Sequence, residues 1–228
     1  MALFFRHQHQ TRPNLNRYYY LLFFSLFFCF FSNAQKEASI WYFGRNAGVD
    51  FNSGTPVPLT DGAIFTQEGC STISDANGNL MFYTDGITVW NRNHDVMLNG
   101  TWLMGHASSS QSGIIVPNPG NPDIYYIFTA PHQTWGNLYY NIVDMTLDGG
   151  LGGITSKNVL LNEVVAEKLT AVKHANGTDI WVVAHDWGND AFLAYLVTPT
   201  GLVTAPVVSN VGFYMDYMTV GDDIYKAI

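Results

Sequence analysis

Charge is scarce in this chain: Asp, Glu, Lys and Arg together make up 12% of its 228 residues, about half the share found in an average soluble domain. Cysteine is scarcer still, with only Cys29 and Cys70. Helical patterning is missing, because no stretch of ten residues repeats its apolar positions at the helical period. Each lack excludes something. Few charges leave little with which to coat the outer faces of amphipathic helices, and one cysteine left after residue 34 cannot build a disulfide framework. Cys70, which follows Gly69 and opens an apolar-polar run to Ser74, reads as a small buried hydrophobe.

Basic residues are also few, and three of them lie at the start. Arg6, Arg12 and Arg17 precede an apolar run from Tyr18 to Phe31, and Ser32-Asn33-Ala34 then supplies small residues. This is the layout of a secretory signal peptide over residues 1–34, with cleavage expected before Gln35. The run of 14 residues is short for a membrane span, which needs about 20 apolar residues. Lipidation at Cys29 is disfavoured by the bulky Phe28 before it. Removal of the signal leaves seven basic residues against 18 acidic ones, a net charge of −11. Such a chain repels phosphate backbones and anionic membrane surfaces, so neither nucleic acid nor membrane insertion is expected of the mature form. An extracellular or outer-surface location follows, with surface glycans or proteins as the partners left open.

What the chain has in plenty is aromatic residues, at 15%, and 21 glycines. Short runs of Val, Ile, Tyr, Phe and Trp recur between clusters of Gly, Asn, Asp and Pro, which predicts strands and turns. Eleven strands are expected, among them Cys70 to Ser74, Leu80 to Thr84, Ser112 to Pro117, Ile124 to Thr129, Leu138 to Asp144, Lys168 to His174, Ile180 to Ala184 and Ala191 to Thr198. Three copies share one order: an outer strand, a turn, a very apolar strand, a second turn and an aromatic-bearing strand. The apolar strands begin at Leu80, Ile124 and Ile180, with a shorter aromatic one near Ile40. That long period matches four-stranded propeller blades of roughly 40 to 50 residues. Residues 35–228 are therefore expected to form an all-β, propeller-like domain of antiparallel blades, about four in number, in an incomplete ring; a β-sandwich is the alternative. Asn77-Gly78 and Asn176-Gly177 predict type I′ hairpin turns. Tyr225 to Ile228 read as an incoming strand, so the chain reads as a piece of something longer.

Signatures of chemistry are weak. Asp75-Ala76-Asn77-Gly78-Asn79 begins like a calcium loop, but Leu80 stands where Gly is needed and Gly86 where Glu is needed. His94, His106, His132, His174 and His185 show no paired metal-ligand spacing. The serines from Ser108 to Ser112 lack the glycine framing of a nucleophile elbow. Carboxylates such as Glu68, Asp75, Asp85, Asp95, Asp144, Asp186 and Asp190 fall mostly in turns, where they satisfy local backbone groups. No catalytic residue, metal or cofactor is assigned.

Tryptophan gives the one positive hint. Trp41, Trp90 and Trp181 lie inside predicted strands and read as core. Trp102, Trp135 and Trp187 sit in Gly/Asn-rich connections and are the candidate ligand-binding residues, as stacking platforms for sugars or anchors for a protein.

Four strings, Trp41 to Phe51, Glu68 to Asp75, Phe82 to Asn91 and Lys168 to His174, resemble the N-terminal WD40-like propeller region of gliding-motility-associated surface proteins. Proteins of that family leave the cell by type IX secretion, and the likeness spans nearly all of residues 38–228. The resemblance implies a propeller fold and no catalytic residues. It also implies a second cysteine near Lys173-His174, where this chain has Ala175, and a C-terminal sorting domain that the sequence does not show. The function expected is thus a secreted or surface-displayed, non-enzymatic module for glycan or protein adhesion, with motility as the setting. A carbohydrate-active hydrolase and a structural spacer are the alternatives.

Overall fold

The structure is a computed structural model that describes residues 36–130, 132 and 136–215. The signal segment, Trp135 and the incoming strand from Tyr225 lie outside the described residues. Lys36–Ile228 clusters as one compact unit. It is all-β and consists of four antiparallel sheets, each a meander of neighbouring strands. Among the described residues no helix is long and apolar enough to cross a membrane.

The first sheet holds β1 (Ile40–Phe43), β2 (Ala47–Asp50) and β3 (Val57–Leu59). The second holds β4 (Ser71–Ser74), β5 (Leu80–Thr84) and β6 (Val89–Asn91). In the third are β7 (Gly113–Pro117), β8 (Ile124–Thr129), β9 (Leu138–Asp144) and β10 (Gly153–Asn162). The fourth is β11 (Val165–Lys173), β12 (Ile180–Asp186), β13 (Ala191–Thr198) and β14 (Gly201–Asn210).

Alternation along the strands explains the stacking. On β8, Tyr125 and Ile127 face a core shared with the second sheet, while Tyr126 and Phe128 face one shared with the fourth. A strand apolar on both sides must be covered on both sides. On β5 the alternation breaks. Ile73 pairs with Phe82 and Ser74 with Leu80, so Met81 is bulged. The bulge turns Leu80 to join Tyr83 in the core against the first sheet, while Met81 joins Phe82 in the core against the third. Three cores thus lie between four sheets taken in chain order. Their largest members, Tyr83, Tyr195, Phe82 and Phe128, are fully buried, and each such ring contributes about 2–3 kcal/mol of burial free energy. The first strands of the sheets lie along one another, β1 against β4, β4 against β7 and β7 against β11.

Two sequence expectations need correction. The Asn-Gly turns are not type I′, for only the glycines, Gly78 and Gly177, have positive φ. Gly78 N–H donates to Asp75 O and Asp75 N–H to Asn79 O, a three-residue loop closed by a left-handed glycine. The reason is the preceding side chain: Asp75 Oδ1 accepts the N–H groups of Asn77 and Asn79, which fixes Asn77 in a right-handed turn. Its carboxyl, raised by burial but lowered more by the hydrogen bonds from Asn79 and Asn77, titrates below the usual carboxylate range. Trp41, expected in the core, is 51% exposed, because it occupies the face of β1 opposite Tyr42, and that face has no sheet upon it. Trp181 is likewise outside the core: it is half-buried on the face of β12 opposite Ile180 and Val182. Trp90 does pack against the first core, stacked on Tyr83 with centroids 5.5 Å apart.

Candidate ligand-binding face

Every second connection returns the chain to the same end of the sheets, and hydrogen bonds tie these connections together. Gly69 N–H donates to Ser109 O, Gly105 N–H to Gly86 O, Ala130 N–H to Ser112 O, Val165 N–H to Gly136 O and Trp187 N–H to Val164 O. The long connection from β6 to β7 lies in the middle. Gly105 is required there: a Cβ on it would stand 2.4 Å from Gly86 O. The segment after it is pinned by Glu167, a buried residue of β11, whose Oε2 accepts from both Ser110 N–H and Ser110 Oγ. Gln111 Oε1 accepts Leu169 N–H beside it.

A cavity of about 290 Å³ opens at this end, lined by Met104, Gly105, His106, His132, Gly136, Asn137 and Tyr139. The rings of His106 and His132 stack, with centroids 4.5 Å apart and planes inclined by 26°. His106 Nδ1 accepts Ser108 N–H, so the neutral ring carries its proton on Nε2 and offers a donor. Asn137 is held by donating to Tyr139 Oη and accepting Val164 N–H, which leaves the Tyr139 hydroxyl hydrogen to donate. Among the described lining residues there is no carboxylate, ammonium or guanidinium. Nor do three metal-ligating side chains converge anywhere among the described residues. The arrangement offers stacked ring faces, a thioether and a few neutral donors, which suits an uncharged polar ligand with an apolar face.

The three tryptophans singled out in the sequence fare differently. Trp102 is 79% exposed and adopts the left-handed conformation at φ 64°. Asn158 of β10 holds it so, donating from Nδ2 to Trp102 O while its Oδ1 accepts Met104 N–H. Leu103 between them is buried, so the bend drives one side chain in and the indole out, two residues from the cavity wall. Trp135 lies outside the described residues, next to Gly136 of the lining. Trp187 is half-buried in the β12–β13 loop, and the cavity lining does not include it.

His106, His132, Asn137 and Tyr139 were not flagged from sequence. The histidines were set aside for want of ligand spacing, and their pairing depends on two connections meeting only after the second and third sheets stack. Compared with known proteins, the chain matches no family model, no curated protein and no solved structure.

Proposed function

We propose that this chain is an exported, surface-displayed β-propeller module that recognises a glycan or a protein and carries out no catalysis. The propeller arrangement is supported by the packing order. First strands adjoin one another in succession, and three separate cores divide four sheets, whereas a two-sheet sandwich encloses one core. Export is supported by the basic, apolar and small-residue sequence of residues 1–34. The likeness of Trp41 to Phe51 and Phe82 to Asn91 to gliding-motility surface proteins supports display at the cell surface.

The observation that carries the recognition role is the cavity whose described lining, with His106, His132, Asn137 and Tyr139, holds no carboxylate, ammonium or guanidinium, at an end built of connecting loops on a sheet scaffold. Trp102 stands beside it as an exposed ring. Display is tested by treating intact cells that make the protein with an impermeant protease. Digestion of the protein while a periplasmic control survives supports the reading; equal protection of both contradicts it.

A further inference from the structure

His106 and His132 come from two different connections, the one from β6 to β7 and the one from β8 to β9, and their rings meet with centroids 4.5 Å apart. His106 also shapes its own connection. Its N–H donates to Ser112 Oγ, its carbonyl accepts Ser109 N–H and its ring Nδ1 accepts Ser108 N–H. The residue is exposed, so protons reach the ring from solvent. A neutral imidazole has one basic nitrogen, and in His106 that nitrogen is the Nδ1 that Ser108 N–H occupies. A proton arriving there takes the lone pair and breaks the bond. Charge on both rings sets two cations face to face at stacking distance. The described lining holds no charge to offset them, and Tyr139 is its one other titratable group. Acids on the neighbouring elements are engaged elsewhere or turned to solvent. Glu167 of β11 accepts from Ser110, and Asp85, beside Gly86, accepts the N–H groups of Ile87 and Thr88. Glu68 and Glu163 are exposed. Lys157 of β10 donates to Asn99 Oδ1 and Thr101 O.

We propose that the His106–His132 stack is an acid-released latch on the wall of the cavity. Imidazole is the side chain whose charge changes between pH 5 and 8. With the rings neutral, the stack holds the two connections together. When both are charged, repulsion parts them, His106 turns out to solvent and Ser108 N–H is freed. Ser110 and Gln111 stay anchored to β11 through Glu167 and Leu169 N–H, which confines the movement to the turn from His106 to Ser109. His106 and His132 both line the cavity, so the cavity loses its wall as its surroundings turn acid. A ligand held at neutral pH is then let go, a regulation that rests on the recognition reading above, whereas the latch itself needs no ligand.

Nuclear magnetic resonance on ligand-free residues 36–228, which form one compact unit, follows the two rings and the amides of Ser108 and Ser110 from pH 8 to pH 5. Coupled rings titrate as a pair, so each is expected to show two steps. The Ser108 amide is expected to move with them and, after correction for the intrinsic pH dependence, to lose about tenfold in exchange protection while Ser110 keeps its own. His174 is the internal reference: its Nδ1 accepts Asn176 N–H, but its ring neighbour is Trp181 in place of a second imidazole. It is expected to titrate in one step, as is His106 in a His132→Gln variant. The unmodified chain decides alone if that variant does not fold. Independent single steps for His106 and His132, or a Ser108 amide that keeps its protection at pH 5, overturn the proposal. Either result leaves recognition by the cavity standing, and a chain that binds nothing leaves the latch standing, so the two readings fail separately.

Discussion

Glu167 on β11 reaches across to Ser110 and accepts hydrogen bonds from its backbone N–H at 2.9 Å and its hydroxyl at 3.0 Å. The pair joins the fourth sheet to the connection that carries His106. Glu167→Ala leaves that N–H without its buried acceptor, at a cost of about 2 kcal/mol. The expected result is a lower melting temperature together with faster amide exchange over residues 106–112, while the second sheet's strands exchange as before. An unchanged exchange pattern in that connection would show that the carboxylate does not hold it.

Tyr195 on β13 presents the opposite case. Its ring is fully buried, and its hydroxyl has no hydrogen-bond partner among the described residues. Burial first, and then the negative charge of Asp186, push its pKa up to about 12. Because the folded value lies above the unfolded one, the phenol's contribution is fully present below the unfolded value of about 10 and is lost as the pH rises from there towards 12. Tyr195→Phe removes an unpaired buried hydroxyl and this titration. It is expected to raise the melting temperature at pH 7 by about 2–4 °C per kcal/mol gained, and to flatten the fall in stability above pH 10. Thermal melts at pH 7 and across the alkaline range read both effects.

Asp61 marks the acid side. Tyr42 donates its hydroxyl to Asp61 Oδ1 at 2.8 Å, and His94 Nε2 lies 3.5 Å from Oδ2. The Tyr42 hydrogen bond holds the carboxyl below its usual range, and this outweighs the opposing effect of burial. With the folded value depressed, the contribution is present above the unfolded value and is lost as the pH falls through the folded one. Asp61 is 60% exposed on its side chain, so Tyr42→Phe is expected to cost only about 1 kcal/mol at pH 7. The variant should lose less stability than the parent between pH 4 and pH 2, as urea melts at a series of pH values will show.

The fold was legible where strands carry both cores. The run Ile124-Tyr125-Tyr126-Ile127-Phe128 is apolar on successive residues because the third sheet is covered on both sides; in Ile180-Trp181-Val182-Val183-Ala184 only Ile180, Val182 and Ala184 lie in a core, and the bounds of both strands were read within a few residues. The edge strands were missed. Gly201–Asn210 and most of Gly153–Asn162 lie at the rims, half-buried or exposed, where nothing imposes an apolar pattern. β3 is only three residues long and contains Pro58. The turn type failed because Asp75 and His174 cap their turns through side chains that the Asn-Gly pair does not reveal. Of the site, Trp102 was visible as an aromatic in a Gly/Asn-rich connection. The cavity was not, because Tyr139 sits in an ordinary strand pattern and His106 and His132 meet only through the stacking of sheets.

The most direct test of the recognition role is binding of residues 36–228 to a glycan array and to whole cells, measured beside Trp102→Ala and Tyr139→Ala. Neither side chain belongs to the buried core, so both variants are expected to keep the parent's dichroism. The account predicts saturable binding by the parent and a loss of about tenfold or more in affinity in each variant. Binding that survives both substitutions unchanged, or a folded parent that binds nothing on either platform, would contradict it.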